Sequence, residues 1–376
     1  MKKFLVLLFS LSCTVTLFAA QDAAQIFRNT TRHVDFNGEN LFYFNTTELG
    51  SLINALPGSI GKMAVAFEAP ADKVNTTCCG ANIILKTLNL SALKAIASSE
   101  KQYKKDLYLS KTVLYFGKDA QMPGLFNISR FANNCSLNEA LAEFPSDVIA
   151  AIKFPCYPGD LNTELEKNIG IMGNPEIKMF YAEIRSQLAK NGIDANKLNA
   201  SIGGNWSIIV AGKNEETLRF TISIPDNDGT LTALLKKHLP PDAATPDRSF
   251  IPDPPPNTRP AILYMGNRVM LVSDAARCAK IERPFALPAD FVRMLPANAA
   301  GFKVVNLSME LLAGIRQMKF IRKNPVALKV VNSLKPGLAF ETTLAESDAI
   351  RSITAADFSA SELLLGIISI INEIKR

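Results

Sequence analysis

The chain has 376 residues, 48% of them hydrophobic and 20% charged, with 41 Lys and Arg against 35 Asp and Glu. This is globular composition, which excludes a disordered or fibrous chain, and the length exceeds what one hydrophobic core serves. The charges nearly balance and the cations alternate with acids along the chain, so no nucleic-acid partner is expected.

The first twenty residues, MKKFLVLLFSLSCTVTLFAA, run from Lys2 and Lys3 through the apolar stretch Phe4 to Leu11 to small Ala19 and Ala20. That order reads as a secretory signal peptide over residues 1–20, with cleavage after Ala20. Lipid attachment through Cys13 is the alternative, disfavoured because Ser10 stands where such a signal carries leucine. Loss of the leader's two lysines leaves a mature net charge of +4. The expected location is the periplasm, the cell surface or the medium. No later apolar run is long enough to span a bilayer; Leu363 to Ile371 reads as a buried closing helix.

The clearest signal is internal similarity. Asn174-Pro175 opens a helix in which Ile177, Phe180, Tyr181 and Ile184 fall on one face; Asn324-Pro325 opens another with Ala327, Val330, Val331 and Leu334 in the same places. In each, Asn is a good N-cap and Pro occupies the first helical position, where its missing N–H costs nothing. Upstream, Leu114 to Gly117 (LYFG) matches Leu263 to Gly266 (LYMG), and Glu143 to Phe154 matches Met294 to Val305, at nearly the same offset. One unit then reads hairpin, short helix, strand, two helices, hairpin, helix. Both Asn-Pro helices should bury the same face, and Tyr115 should lie over Tyr264 and Pro145 over Pro296.

The expected fold is α+β with tandem repeat units, each a mainly antiparallel sheet of two hairpins and a strand with helices packed on one face. Residues 21–105 form a partial N-terminal unit, in which Asn45 to Phe67 matches the helix-to-strand stretch Asn324 to Phe340. Residues 106–240 form the first full unit, 241–257 a Pro-rich polyproline-like connector, and 258–376 the second full unit. The uncovered sheet faces or edges of two units can close on each other.

No catalytic, cofactor-binding or metal-binding residue is expected. The two histidines, His33 and His238, read as surface residues, and no C-x-x-C pair accompanies them. Ser91-x-x-Lys94 and Ser98-x-x-Lys101 have the spacing of serine acyl enzymes, but they fall on an expected amphipathic helix with no K-T-G downstream. Pro225 to Thr230 (PDNDGT) lacks the distal glutamate of a calcium loop and reads as a capped turn. Five mature cysteines, Cys78, Cys79, Cys135, Cys156 and Cys278, are expected to form at most one bridge, from the Cys78/Cys79 pair or between Cys135 and Cys156. The functional expectation is an exported, non-catalytic binding or envelope-structural module whose partner is a protein or an apolar ligand. A carrier of an apolar ligand such as lipid is the first alternative, and a hydrolase using a carboxylate pair, which one sequence cannot reveal, is the second.

Overall fold

A computed structural model of the chain describes residues 19–66, 70–88, 92–117, 133–214, 217–239, 241–242, 245–252, 259–274 and 283–359. The leader up to residue 18 with Cys13, Ser91, Cys278 and the closing segment Leu363 to Ile371 lie outside them.

The chain enters through α1 (Ala19–Thr31) and β1 (Asn40–Asn45), runs through α2 (Thr47–Ala66) and α3 (Ala71–Leu88), and returns as the hairpin β2 (Ala95–Lys104) and β3 (Leu107–Tyr115). Next come β4 (Cys135–Ser136), α4 (Leu137–Glu143) and β5 (Val148–Cys156), then α5 (Pro158–Met172), α6 (Pro175–Lys190) and α7 (Ala195–Ser201). The hairpin β6 (Gly204–Ala211) and β7 (Arg219–Pro225) leads to α8 (Thr230–His238), β8 (Arg248–Phe250) and the hairpin β9 (Ala261–Met265) and β10 (Arg268–Val272). Last are α9 (Ala289–Met294), β11 (Asn298–Ala299), β12 (Gly301–Leu307), α10 (Met309–Gln317), α11 (Lys319–Lys323), α12 (Pro325–Ser333) and the hairpin β13 (Gly337–Ala345) and β14 (Ala349–Ala356).

The fold is mixed helix and strand, built on one large antiparallel sheet. Its 12 strands lie in the order β1-β2-β3-β14-β13-β12-β5-β6-β7-β10-β9-β8. Separate sheets per unit are therefore not what forms: β5 and β12 pair edge to edge, Phe302 opposite Lys153 and Val305 opposite Ala150, and fuse the two halves. The hairpins cross between halves, β3 pairing with β14 and β10 with β7.

Alternation along the central strands puts Ala151, Ile209, Phe302, Val304, Phe340 and Ile353 in the main core, closed by Phe144 after α4 and Phe291 of α9. On the opposite face α8 lays Leu231 and Leu235 against Ile262, Tyr264 and Leu271. Helices thus cover both faces, not one. The reason is visible in AILYM and RVMLV, which are apolar at consecutive positions and demand cover on each side. Near the turn after β6, α10 approaches so closely that a Cβ on Gly314 would lie 2.4 Å from the Lys213 carbonyl oxygen. Only glycine permits that contact.

Several local expectations fail. The stretch from Asn45 does not turn into strand: α2 stays helical through Pro57 to Ala66. It packs its Gly61 face on Val74 and Cys78 of α3, and the Cys78 thiol donates to the Pro57 carbonyl at 3.0 Å. Ser98 and Lys101 lie on strand β2, whose first half alternates between buried and half-buried, so the expected helix is absent there. The connector 241–257 contributes the edge strand β8, paired with β9; prolines flank this three-residue strand and are compatible with a sheet edge. Tyr115 is on the second strand of its hairpin and Tyr264 on the first, so the overlay of LYFG on LYMG does not hold. The boundary expected at residues 105 and 106 falls inside the β2–β3 hairpin, between two strands that pair along their length.

The Asn-Pro caps form as expected: Asn174 Oδ1 accepts from the Ile177 amide at 2.9 Å, and Asn324 Oδ1 from the Ala327 amide at 3.1 Å. Burial of the first helix does not follow. Phe180 is 68% exposed and Ile184 40%, and α6 buries none of its residues. In the second helix Val331 is buried against Met318 and Ile321, which come from the neighbouring helical turns. The apolar stripe of α6 has the right period but is covered along one side alone: Ile177 is half-buried beside Gly80 of α3 and Tyr181 donates to Asn162 and Glu166 of α5, while Phe180 and Ile184 stay exposed. Cys78, Cys79, Cys135 and Cys156 are all free thiols, so neither expected bridge is present. Adjacent on α3, Cys78 and Cys79 point to different neighbours, the second donating to the Met172 carbonyl at 3.1 Å.

Candidate functional site

Two places bring polar and apolar groups together in ways that local sequence does not announce. The first is a groove of about 300 Å³ across the middle of the sheet, on the face opposite the main core. Its floor is Leu114 of β3, Ile152, Phe154 and Pro155 of β5, and Ala345 and Ile350 of β13 and β14. Strand register assembles it: Ile350 lies opposite Leu114, and Lys303 opposite Ile152. The rim is polar. Glu341 Oε1 accepts from Lys303 Nζ at 2.6 Å and from Ser352 Oγ at 2.8 Å. The lysine holds the same carboxylate oxygen that the serine reaches, so the carboxylate is committed to an ion pair and is not available as a base for Ser352. The geometry is an apolar floor beneath a charged edge.

The second place is a cluster of charged side chains where α1 ends against the β13–β14 turn. His33, Glu346 and Asp348 bring one ligand atom each within 4.8 Å of one another. His33 is therefore not a surface residue; its side chain is 10% exposed. Arg32 Nε donates to His33 Nε2 at 3.0 Å, which leaves the proton on Nδ1, 2.8 Å from Glu346 Oε2. Each carboxylate also has an arginine: Arg32 Nη2 lies 2.7 Å from Asp348 Oδ2, and Arg351 Nε 2.9 Å from Glu346 Oε1. A cation bound at Nδ1 would need Nε2 to carry the proton, directly against the Arg32 donor, and two guanidiniums already neutralise the acids. The cluster does not fit a metal. It is an ionic clasp that fastens the N-terminal helix to the end of the sheet. It also contains an acidic pair of the kind sequence could not reveal, but with an arginine on each member the pair does not resemble an acid and base at work.

Burial lowers the His33 pKa below its ordinary value; Glu346 and Asp348 oppose that, while Arg32 and Arg351 reinforce it. The folded state then binds fewer protons than the unfolded one just below pH 6.5, the ordinary value for histidine. The His33 contribution to stability is complete above that pH and declines as pH falls through the window beneath it. Urea unfolding at pH 7.5 and pH 5 should show a loss on acidification that shrinks in His33→Gln. An unchanged loss in the variant would place the pH sensitivity elsewhere.

No family model, curated protein or solved structure matches the chain. His238 is exposed at the end of α8, where a cation complements the helix dipole. In the PDNDGT turn, Asp226 accepts from the amides of Leu231 and Thr232 at 3.0 and 2.9 Å and from Ser201 Oγ at 2.7 Å, as a capping carboxylate does. None of the groove residues carries a motif. The available signal was the apolar character of Ile152 and Phe154 on the strand face opposite Ala151, which by itself reads as ordinary sheet packing. Among the described residues no helix is long and apolar enough to cross a membrane.

Proposed function

We propose that the protein is an exported, non-catalytic binding module of a bacterial envelope and that the mid-sheet groove is its ligand site. The observation that carries this reading is the groove itself: an apolar floor drawn from four strands, open to solvent, edged by the Lys303–Glu341 pair. Its ligand is apolar, a lipid chain or a comparable group. At about 300 Å³ the groove sits at the lower end of small-ligand sites. We further propose that the module arose from two related α+β units. The element order hairpin, short helix, strand, helices, hairpin supports this, as does a strand order in which β5 meets β12 at the centre and each half lends its first hairpin to the other.

Native mass spectrometry of the protein purified from its own host should reveal a non-covalent adduct of lipid-like mass. Ile152→Asn, a change at a half-buried position on the groove floor, should remove it while circular dichroism stays unchanged. A bare chain in the spectrum, together with no saturable binding of a fluorescent fatty-acid probe, would overturn the groove assignment. N-terminal sequencing of the same sample tests export, which requires a start at or near Gln21.

A further inference from the structure

A second cavity, of about 480 Å³, opens between the first turn of α5, the helix α7 and the β6 end of the sheet. Its chemistry is unlike that of the groove. Asn196, Asn199 and Asn227 contribute three carboxamides, Asp160 a carboxylate, Thr163 a hydroxyl and Tyr157 an aromatic ring. Among the described residues no lysine, arginine or histidine lines it, and no aliphatic side chain larger than alanine. From this set we infer that the cavity is a binding site for a neutral saccharide.

Each alternative class fails on a named feature. A phosphate or nucleotide needs cations or several free amides, and among the described lining residues the charged group is an acid. A lipid or apolar peptide needs a dry wall, and here carboxamides, a carboxylate and a hydroxyl interrupt the apolar surface of Tyr157 and Ala200. A calcium ion takes six to eight oxygens in a space far smaller than this cavity. A sugar hydroxyl both donates and accepts, which matches a carboxamide that offers an oxygen and an NH₂ together, and a carboxylate that only accepts. The apolar C–H face of a pyranose packs on an aromatic ring.

The lining is held in place from behind. Asn227 Nδ2 donates to the Gly203 carbonyl at 2.8 Å, a bond that does not use its Oδ1. Thr163 Oγ1 donates to the Gly159 carbonyl at 2.8 Å and keeps its lone pairs for a ligand hydroxyl. Tyr157 fits beside Gly203 because that position has no side chain; a Cβ there would lie 3.3 Å from the Tyr157 ring. The chain also supplies a reporter: its single tryptophan, Trp206, donates its indole N–H to the Ile202 carbonyl at 2.8 Å, one residue from Gly203.

Trp206 fluorescence and isothermal calorimetry of the full mature chain would be titrated with maltose and with N,N′-diacetylchitobiose, and in parallel with inorganic phosphate and with calcium chloride. A saturable response to at least one neutral sugar is expected, and none to phosphate or calcium. Asp160→Asn should weaken sugar binding about tenfold or more, the scale of a hydrogen bond to a charged acceptor. Ala200→Phe, at an exposed position on the cavity wall, should abolish it without disturbing the fold; Asn191→Ala, outside the cavity, should leave it unchanged. No saturable heat or fluorescence change with either sugar would overturn the proposal. So would sugar binding that survives Ala200→Phe, or a response confined to phosphate or calcium.

Discussion

Truncating Phe302 to alanine is expected to cost about 3–5 kcal/mol, the range for removing a fully buried aromatic side chain. Phe302 and Phe340 have no exposed surface, and their ring centroids are 6.0 Å apart. Phe302 also lies on β12, next to the seam where the two halves of the sheet meet at β5. Its loss should therefore lower a single cooperative urea transition that reports both halves. Two transitions, of which only one moves, would mean that the halves fold independently and that the seam is weak. Because the rings share a contact, Phe302→Ala with Phe340→Ala should cost less or more than the sum of the single changes by at least about 0.5 kcal/mol.

Removing Glu143 should be the most damaging single change among the polar residues of the core. Lys153 is 5% exposed on β5, and its ammonium meets Glu143 Oε1 at 2.5 Å; Ser207, opposite it on β6, donates to Glu143 Oε2 at 3.2 Å. Glu143→Ala leaves a buried cation without its partner, which costs about 3 kcal/mol, the lower end of the range because the glutamate keeps some access to water. Lys153→Met should be milder, since the Glu143 carboxylate can turn outward. The paired change Glu143→Leu with Lys153→Met should return most of the stability, because two apolar groups of similar volume need no desolvated charge between them. Equal losses for the three variants in urea unfolding would show that shape, not charge, governs the site.

Neither candidate site could be read from sequence, whereas a local turn could. Residues 225–230 were legible as a capped turn because capping is local: Asp226 reaches amides five and six residues on. The His33 clasp was not legible, because its partner Asp348 lies on the β13–β14 turn and Arg32 bonds to it across 316 positions. Nor was the groove, whose floor depends on β3 pairing with β14 and β12 with β5. Those pairings follow from the crossing of hairpins between halves, which no short stretch encodes.

Sequence by itself determined the elements governed by short-range physics: the Asn-Pro helix starts at Asn174 and Asn324 and the alternating strands after Gly204 and Gly337. Tertiary structure alone decided which apolar stripes are covered. The period of Phe180 and Ile184 is the same whether or not a layer packs on them, and here none of the described layers does. It also decided that the sheets join edge to edge into one and that Asn45 to Ala66 stays helical on α3. A periodic pattern specifies an amphipathic surface, but burial is a relation between two surfaces, and the second one comes from residues far away in the chain.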